Sequence, residues 1–425
     1  MKKSDLFPGH LIIAATLVLI GCKTSEPLDV NEYVWSETQV QSAHVLPCSR
    51  ILQAVIDLNT WIFRGQGVSA AVIIKDHVYW TGTSGYSEPG KPVDTNMLFN
   101  IGSIGKNFLA TLILQLAEEG RLSLDDPVAK WGLGSSSIDK NITIRQLLNH
   151  TSGIFDWVSH NQSPYRIPYQ QIEYEKEWTQ EEILVKLGGK PYFSPGNSWH
   201  YSTTNYNLLN IIAEKTTGTT VSAEIRNRFL QPLGLDHTIS VDVGTTIPSQ
   251  LNIVHGWFDA DGDGENEDIS GDSRNWFTSL SPNMMYASAI DLTRWSQALY
   301  EGRILTETSL GQMLDFHRPA SGEPPLTGYG LGTGEITVKG LIRSYGHLGL
   351  HYGNMSAMLY LPNFRTSIVV LTNGNNRVFQ YVISLNLLIA IALRQVRYFF
   401  YLAVLILIFF ASSKIWKHKV RSQEK

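Results

Sequence analysis

The stretch "FNIGSIGKNFLATLILQL", Phe99 to Leu116, sets a serine and a lysine three residues apart at the start of an apolar run. Surface helices keep their lysines among polar neighbours, yet Lys106 follows Ile101 and Ile104 and precedes Phe108 and Leu109. On a helix, residues three apart share a face with Cβ atoms about 5–6 Å apart, so Ser103 and Lys106 can touch. Gly102 widens the backbone choices at the entry to that helix. Free N–H groups and the dipole at a helix N-terminus favour developing negative charge. A lysine among apolar side chains has its charged form destabilised and its pKa lowered. Such an amine can take the serine proton, which is what an activated nucleophile requires.

Spacing alone is weak, because a chain of this length carries roughly one to three S-x-x-K matches by chance. Two more occur here, Ser137–Lys140 in a polar turn and Ser422–Lys425 in the charged tail. Neither precedes an apolar helix that would desolvate its lysine. Context singles out Ser103.

The bulk composition is that of a folded protein: of 425 residues, 43% are hydrophobic and 17% charged, with a net charge of −4. That balance excludes a basic nucleic-acid footprint and an acidic disordered tail. The two cysteines, Cys22 and Cys48, do not make a disulfide framework. Cys22 closes "MKKSDLFPGHLIIAATLVLIGC", in which Lys2 and Lys3 precede an apolar stretch from Leu11 to Ile20. Its last residues, Leu19-Ile20-Gly21-Cys22, resemble a bacterial lipobox. Residues 1–22 therefore read as a lipoprotein signal peptide, with Cys22 the lipidated first residue of the mature chain and 23–47 a polar tether. At the other end, Tyr398 to Ser413 is an uncharged run of 16 residues flanked by Arg397 and Lys414. With those charges snorkelling outward, it predicts a transmembrane helix over 396–415. The tail 416–425, with Lys417, Lys419, Arg421 and Lys425, is then cytoplasmic. Both anchors place the intervening domain on the periplasmic or extracellular side of a bacterial membrane.

Residues 48–390 read as one domain. Apolar residues at Ile51, Leu52, Val55, Ile56, Leu58 and Ile62 follow helical spacing. Two β-rich runs, Val68 to Ile74 and Val78 to Gly82, flank a turn at Lys75-Asp76. From about 104 to 315 the patterns are mostly helical with long loops. Strand signals return in "YGLGTGEITVKG", "GNMSAMLYLP" and "TSIVVLTN". The expectation is an α+β fold: an antiparallel sheet built from both chain ends, flanked by helices, with a mainly helical lobe inserted. The cleft between sheet and lobe is the natural place for a site.

Three further stretches follow the Ser103 helix in order. They are "ITIRQLLNHTSGI" (Ile142–Ile154), "PGNSWHYSTTNYNLLNIIAEKTTG" (Pro195–Gly218) and "YGHLGLHYGNMSAMLYLPN" (Tyr345–Asn363). Together with "ASAIDLTRWSQALYEGRIL" (Ala287–Leu305), they resemble the serine β-lactamase and penicillin-binding protein superfamily. The likeness points to the branch of class C β-lactamases, D-Ala-D-Ala carboxypeptidases, D-aminopeptidases and esterases. It implies a β-lactamase/transpeptidase-like fold with Ser103 as acylating nucleophile and Lys106 as its proton partner. Tyr201 matches the family tyrosine that acts as, or assists, the general base and acid. His347-Leu348-Gly349 matches the third family motif, K-T-G in many relatives and H-x-G in several peptidases and esterases, which implies that His347 is catalytic along with Ser103, Lys106 and Tyr201. The backbone N–H groups of Ser103 and Leu350 would form the oxyanion hole. Independently, Tyr201 follows the Pro195-Gly196 turn and precedes an apolar helix beginning near Asn205, so its phenol sits on a loop.

The implied function is a serine hydrolase. It would act through a Ser103 acyl-enzyme on a D-amino-acid peptide or peptidoglycan fragment, or on a small ester or amide. The alternatives are a β-lactamase, or a penicillin-binding sensor with little turnover. Thr203 stands where relatives place the asparagine of Y-x-N, and a hydroxyl lacks the amide's paired donor and acceptor. Thr203, Gly349 and, if the loop is re-registered, Asn205 are the candidate substrate-binding residues. His347 in place of lysine removes a permanent positive charge from the pocket.

No cofactor is expected, and the expected partners are a small-molecule or peptide substrate and the membrane, not nucleic acid. His347 and His351, four apart on a strand, lie about 13 Å from each other and cannot share one zinc. The acidic loop "DADGDGENEDISGD" (Asp259–Asp272) opens like a calcium loop at Asp259, Asp261 and Asp263. Ser270 stands where the bidentate glutamate belongs and Asn266 where an apolar residue belongs, so a solvated loop is expected, with a looser structural calcium site left open. Trp157, Tyr165 and Tyr169 follow "HTSGIFD", where relatives place loops over the cleft mouth.

Overall fold

The computed structural model describes residues 49–374 except 63–65, 77, 136, 158–183, 185–188, 243–246, 249, 260–264, 271–283, 318–325 and 339–341. The signal peptide with Cys22, the tether, Cys48, the 396–415 helix, the basic tail, Tyr165, Tyr169, Asp261 and Asp263 lie outside the described residues. Among the described residues, no helix is long and apolar enough to cross a membrane.

The chain opens with α1 (Ser49–Ile62), β1 (Gly67–Ile74), β2 (Val78–Glu88), β3 (Lys91–Pro92) and β4 (Phe99–Asn100). Helices α2 (Gly105–Glu118), α3 (Ile144–Leu148), α4 (Thr203–Thr217) and α5 (Val221–Ile225) follow. Next come β5 (Thr238–Val241), β6 (Trp257–Phe258), β7 (Glu267–Asp268) and β8 (Met284–Ala287), then α6 (Ala289–Tyr300) and α7 (Glu307–Met313). The chain closes with β9 (Leu326–Tyr329), β10 (Gly334–Val338), β11 (Ile342–His351), β12 (Asn354–Leu361) and β13 (Thr366–Thr372).

The main sheet runs β3-β2-β1-β13-β12-β11-β10-β9, a single antiparallel sheet built from both ends of the domain as the sequence predicts, with the first and last described strands side by side. β1 and β13 are antiparallel, with Val68 opposite Thr372 and Ile74 opposite Thr366. Side chains alternate across a strand, and β1 is apolar on both faces because both are covered. Val68, Ala70, Val72 and Ile74 pack with Leu52, Val55 and Ile56 of α1. Ala71, Val369, Leu371 and Met358 face the other way, into a core shared with α2 and α6. In that core Phe108 stacks on Trp295 with ring centroids 3.9 Å apart.

One polar residue ties α2 to both neighbours. Asn107 is fully buried. Its Nδ2 donates to the Gly332 carbonyl and to Thr333 Oγ1, each at 3.0 Å, while its Oδ1 accepts from Trp295 Nε1 at 2.9 Å. Asn107→Leu strands these partners without water, and the expected loss is about 3 kcal/mol of unfolding free energy in a urea titration. A loss below ~1 kcal/mol would mean the network is dispensable.

The inserted lobe is less helical than its periodicity implies. β4, β8 and β5 form a second, three-stranded sheet, with Phe99 and Thr238 both opposite Ala287. β8 reads MMYA and is buried at every position, so it is too short and too uniformly apolar to show a strand's alternation. This small sheet matters because β4 leads directly into the Ser103 turn.

Candidate active site

From β4 the chain turns tightly before α2. Asn100 Oδ1 accepts the Gly102 N–H at 2.9 Å, and the Ile101 carbonyl accepts from Ser356 Oγ of β12 at 2.7 Å. A 3₁₀ turn over Gly102–Ile104 then feeds α2, putting Ser103 two residues ahead of the first α-helical residue, Gly105. Gly102 has φ of +52°, and a Cβ there would lie 2.8 Å from both the nitrogen and the oxygen of Leu350. Glycine is required twice over, for the left-handed backbone and for the close approach of β11. Gly349 makes the same approach from the other side: a Cβ on it would meet the Ile101 carbonyl at 2.0 Å and Ser356 Oγ at 2.1 Å. β10 pairs with β11 only as far as Gly346. Residues His347 to His351 therefore extend past β10, and Leu350 passes against the Ser103 turn.

Lys106 Nζ lies 3.1 Å from Ser103 Oγ. The same amine sits 5.3 Å from the centre of the Tyr201 ring and 5.7 Å from that of Tyr206. Removal from water lowers the Lys106 amine to about 8, against an opposing pull from the Asp156 carboxylate. The residue as a whole is half-buried. Gly102, Ser103, Tyr201 and Leu350 are likewise half-buried, whereas Ile101, Ile104, Thr203, His347 and Gly349 are buried. Ser103 and Leu350 thus keep some exposure, whereas the Tyr201 hydroxyl is itself buried.

Tyr201 lies on an extended segment that ends at Ser202 (φ −144°, ψ 119°), after which α4 begins at Thr203 rather than near Asn205. Asp156 Oδ1 accepts the Thr203 N–H at 2.9 Å, fixing that first turn. The early start changes the reading of Asn205. It is fully buried, with Oδ1 accepting from Ser152 Oγ at 2.7 Å and Nδ2 lying 3.2 Å from His150 Nδ1. Its amide is used inside the protein and does not turn to a substrate. Thr203 is only 7% exposed.

His347 also departs from expectation. Its Nδ1 lies 2.6 Å from the Leu348 carbonyl, which can only accept, so Nδ1 carries the proton. Nε2 is then the acceptor for the Tyr329 hydroxyl at 2.8 Å. Burial drives its pKa down to about 3. His347 is a neutral ring with both nitrogens engaged, so it offers neither a cation nor a proton shuttle. The Tyr329 ring that it hydrogen-bonds lies 6.1 Å from the Tyr201 ring, edge to face.

Asp259 is described but its two proposed partners are not, and among the described residues no group of three or more His, Cys, Asp or Glu is placed to hold a metal ion. Trp157 is buried and its Nε1 donates to Asn207 Oδ1 of α4 at 3.1 Å. Three residues at the site carry no isolated sequence signal: His150, Asp156 and Tyr329. His150 and Asp156 fall within and just after the "NHTSG" stretch, and that was the available clue.

The chain belongs to the Beta-lactamase family, whose profile matches residues 63–390. It is 28% identical over 299 residues to penicillin-binding protein 4* of Bacillus subtilis (strain 168), a match covering 68% of this chain and 64% of that protein. Over 195 residues it is 30% identical to esterase EstB of Burkholderia gladioli, covering 43% of this chain and 49% of the esterase. The chain thus spans less than two thirds of the length of these curated relatives. Among solved structures it resembles a D-stereospecific amidohydrolase from Streptomyces sp. (28% identity, TM-score 0.65, 77% of this chain and 94% of that one). It also resembles the D-amino acid amidase from Ochrobactrum anthropi SV3 complexed with L-phenylalanine amide (25% identity, TM-score 0.70, 81% of this chain and 98% of that one). The β-lactamase-like fold implied by the motifs is the fold found.

Proposed function

We propose that the chain is a serine hydrolase that forms an acyl-enzyme on Ser103, with D-amino-acid amides and small esters as its preferred substrates. The observation that carries this reading is the 3.1 Å contact between Ser103 Oγ and an amine lowered to about 8. In the neutral form Lys106 takes the hydroxyl proton as Oγ bonds to the substrate carbonyl carbon. The oxyanion so formed is received by the Ser103 and Leu350 N–H groups. Tyr201 relays the proton to the leaving amine or alcohol as the carbon–heteroatom bond breaks. Water then attacks the ester, losing its proton to the same pair, and Ser103 is restored with release of the acid.

Substrate preference follows from His347. A neutral ring with both nitrogens engaged gives no fixed cation for a terminal carboxylate. This favours amides and esters over D-Ala-D-Ala peptides and β-lactams, and the two amide-cleaving structural neighbours support the same choice. The test compares kcat/KM for D-phenylalanine amide and p-nitrophenyl acetate with that for a D-Ala-D-Ala-terminated peptide. An advantage of about tenfold or more for the neutral substrates is expected, the worth of one ~1.4 kcal/mol charge contact. A preference for the carboxylate peptide, or a fluorescent penicillin adduct that fails to turn over, would favour the transpeptidase or sensor reading instead. On the signals at Cys22 and 396–415 alone, we place this activity on the outer side of a bacterial membrane.

A further inference from the structure

We propose that His150 is the positioning residue of Tyr201, holding the phenol toward Ser103 and Lys106 by gripping the backbone on both sides of it. The inference rests on the role given to Tyr201 above. His150 follows α3, whose start is fixed by a capping box between Thr143 and Gln146. Its own backbone is left-handed, with φ of +63°, and the residue is fully buried. A non-glycine residue held in that region by a buried setting is a strained position with a reason.

The reason lies in its contacts. The N–H of His200 donates to the His150 carbonyl at 3.1 Å, and the N–H of Ser202 donates to His150 Nδ1 at 3.1 Å. These are the residues immediately before and after Tyr201. Neighbouring main-chain bonds, Gly196 to the Thr151 carbonyl and Tyr192 to the Gly153 carbonyl, dock the rest of the segment on the same stretch. The imidazole ring lies 4.3 Å from the Tyr201 ring, centre to centre, so it supports the phenol from behind as well.

Acceptance at Nδ1 dictates the tautomer. Ser202 N–H can only donate, so Nδ1 presents its lone pair and Nε2 carries the proton. Nε2 has no hydrogen-bond partner among the described residues, and the ring lies between Tyr201, Tyr206 and Tyr329. Burial, with Lys106, His347 and His200 nearby, keeps the ring neutral. A ring that only filled space would not need an acceptor at one defined point. Here the acceptor is shared by Asn205 Nδ2 at 3.2 Å and by the Ser202 N–H at 3.1 Å, the latter on the residue that follows Tyr201.

The experiment uses the full chain with p-nitrophenyl acetate and the variants His150→Asn, His150→Gln, Tyr201→Phe and the double variant Tyr201→Phe/His150→Gln. Asparagine tolerates the left-handed backbone and keeps an acceptor on the atom bonded to Cγ, where Nδ1 is. Glutamine carries its amide one methylene further out. His150→Gln is expected to lower kcat about 100-fold with KM little changed, the scale of a misplaced catalytic group. His150→Asn should recover most of that loss. The double variant should be no slower than Tyr201→Phe alone, because His150 acts through Tyr201. Melting temperatures accompany each assay, and His150→Leu, which also lacks the acceptor, replaces His150→Gln if that chain does not fold. Equal kcat for the Asn and Gln variants, or a further full loss in the double variant, overturns the proposal. A fully active Tyr201→Phe overturns the role of Tyr201 itself and this inference with it.

Discussion

Ser103→Ala is expected to lower kcat/KM for p-nitrophenyl acetate by on the order of 10⁴-fold or more, the cost of removing a nucleophile from a unit that works together. The loss should come without unfolding. The turn that carries Ser103 is held by Asn100, by the Ile101 carbonyl on Ser356 and by the fit of Gly102 against Leu350, none of which uses the hydroxyl. The melting temperature should therefore stay close to that of the parent chain. Catalysis within tenfold of the parent would show that the bond-forming oxygen lies elsewhere.

Lys106→Met should cost about 10³-fold in kcat/KM, the range of a positioned proton-transfer group, and should also remove a pH dependence. The parent amine is lowered to about 8 by burial, and only its neutral form can accept the Ser103 proton. Below that value the folded enzyme holds the lysine charged, so kcat/KM should rise about tenfold per pH unit and level off above it. Two other groups that might titrate here do not compete. Burial takes His347 down to about 3 and holds His150 well below the ordinary histidine range, so both rings are neutral across the limb. If Lys106→Met keeps the rise centred near 8, the titrating base is another group and the assignment of Lys106 is wrong.

Much of this arrangement was legible in the chain because it depends on local spacing. Helical periodicity puts Ser103 and Lys106 on one face, and the apolar residues around them predict the depressed amine. The strand patterns at both ends predict one sheet built from both, though not that β1 lies beside β13. The small sheet of β4, β8 and β5 was not visible, since strands of two to four residues carry no alternation to detect. Asn205, a substitute for Thr203 only if the loop were re-registered, faces inward for a related reason. With α4 beginning at Thr203, two residues on means a rotation of about 200° around the helix, which turns the asparagine inward onto Ser152 and His150.

The remaining site residues are set by contacts between distant parts of the chain. His347 reads as a catalytic residue by its motif, and only the fold shows that Tyr329, 18 residues away, donates to it. His150 reaches Ser202 across 52 residues, a pairing that no periodicity announces. Tyr201 itself was found by family likeness, its position on a turn before a helix being consistent with many of the 18 tyrosines in the chain.

The central claim is that Ser103 is the oxygen that becomes acylated. Mass spectrometry of the protein after brief reaction with a fluorophosphonate addresses it directly. The account predicts a single adduct on the peptide carrying Ser103, absent from Ser103→Ala. An adduct on any other serine, or equal labelling of the alanine variant, would contradict it.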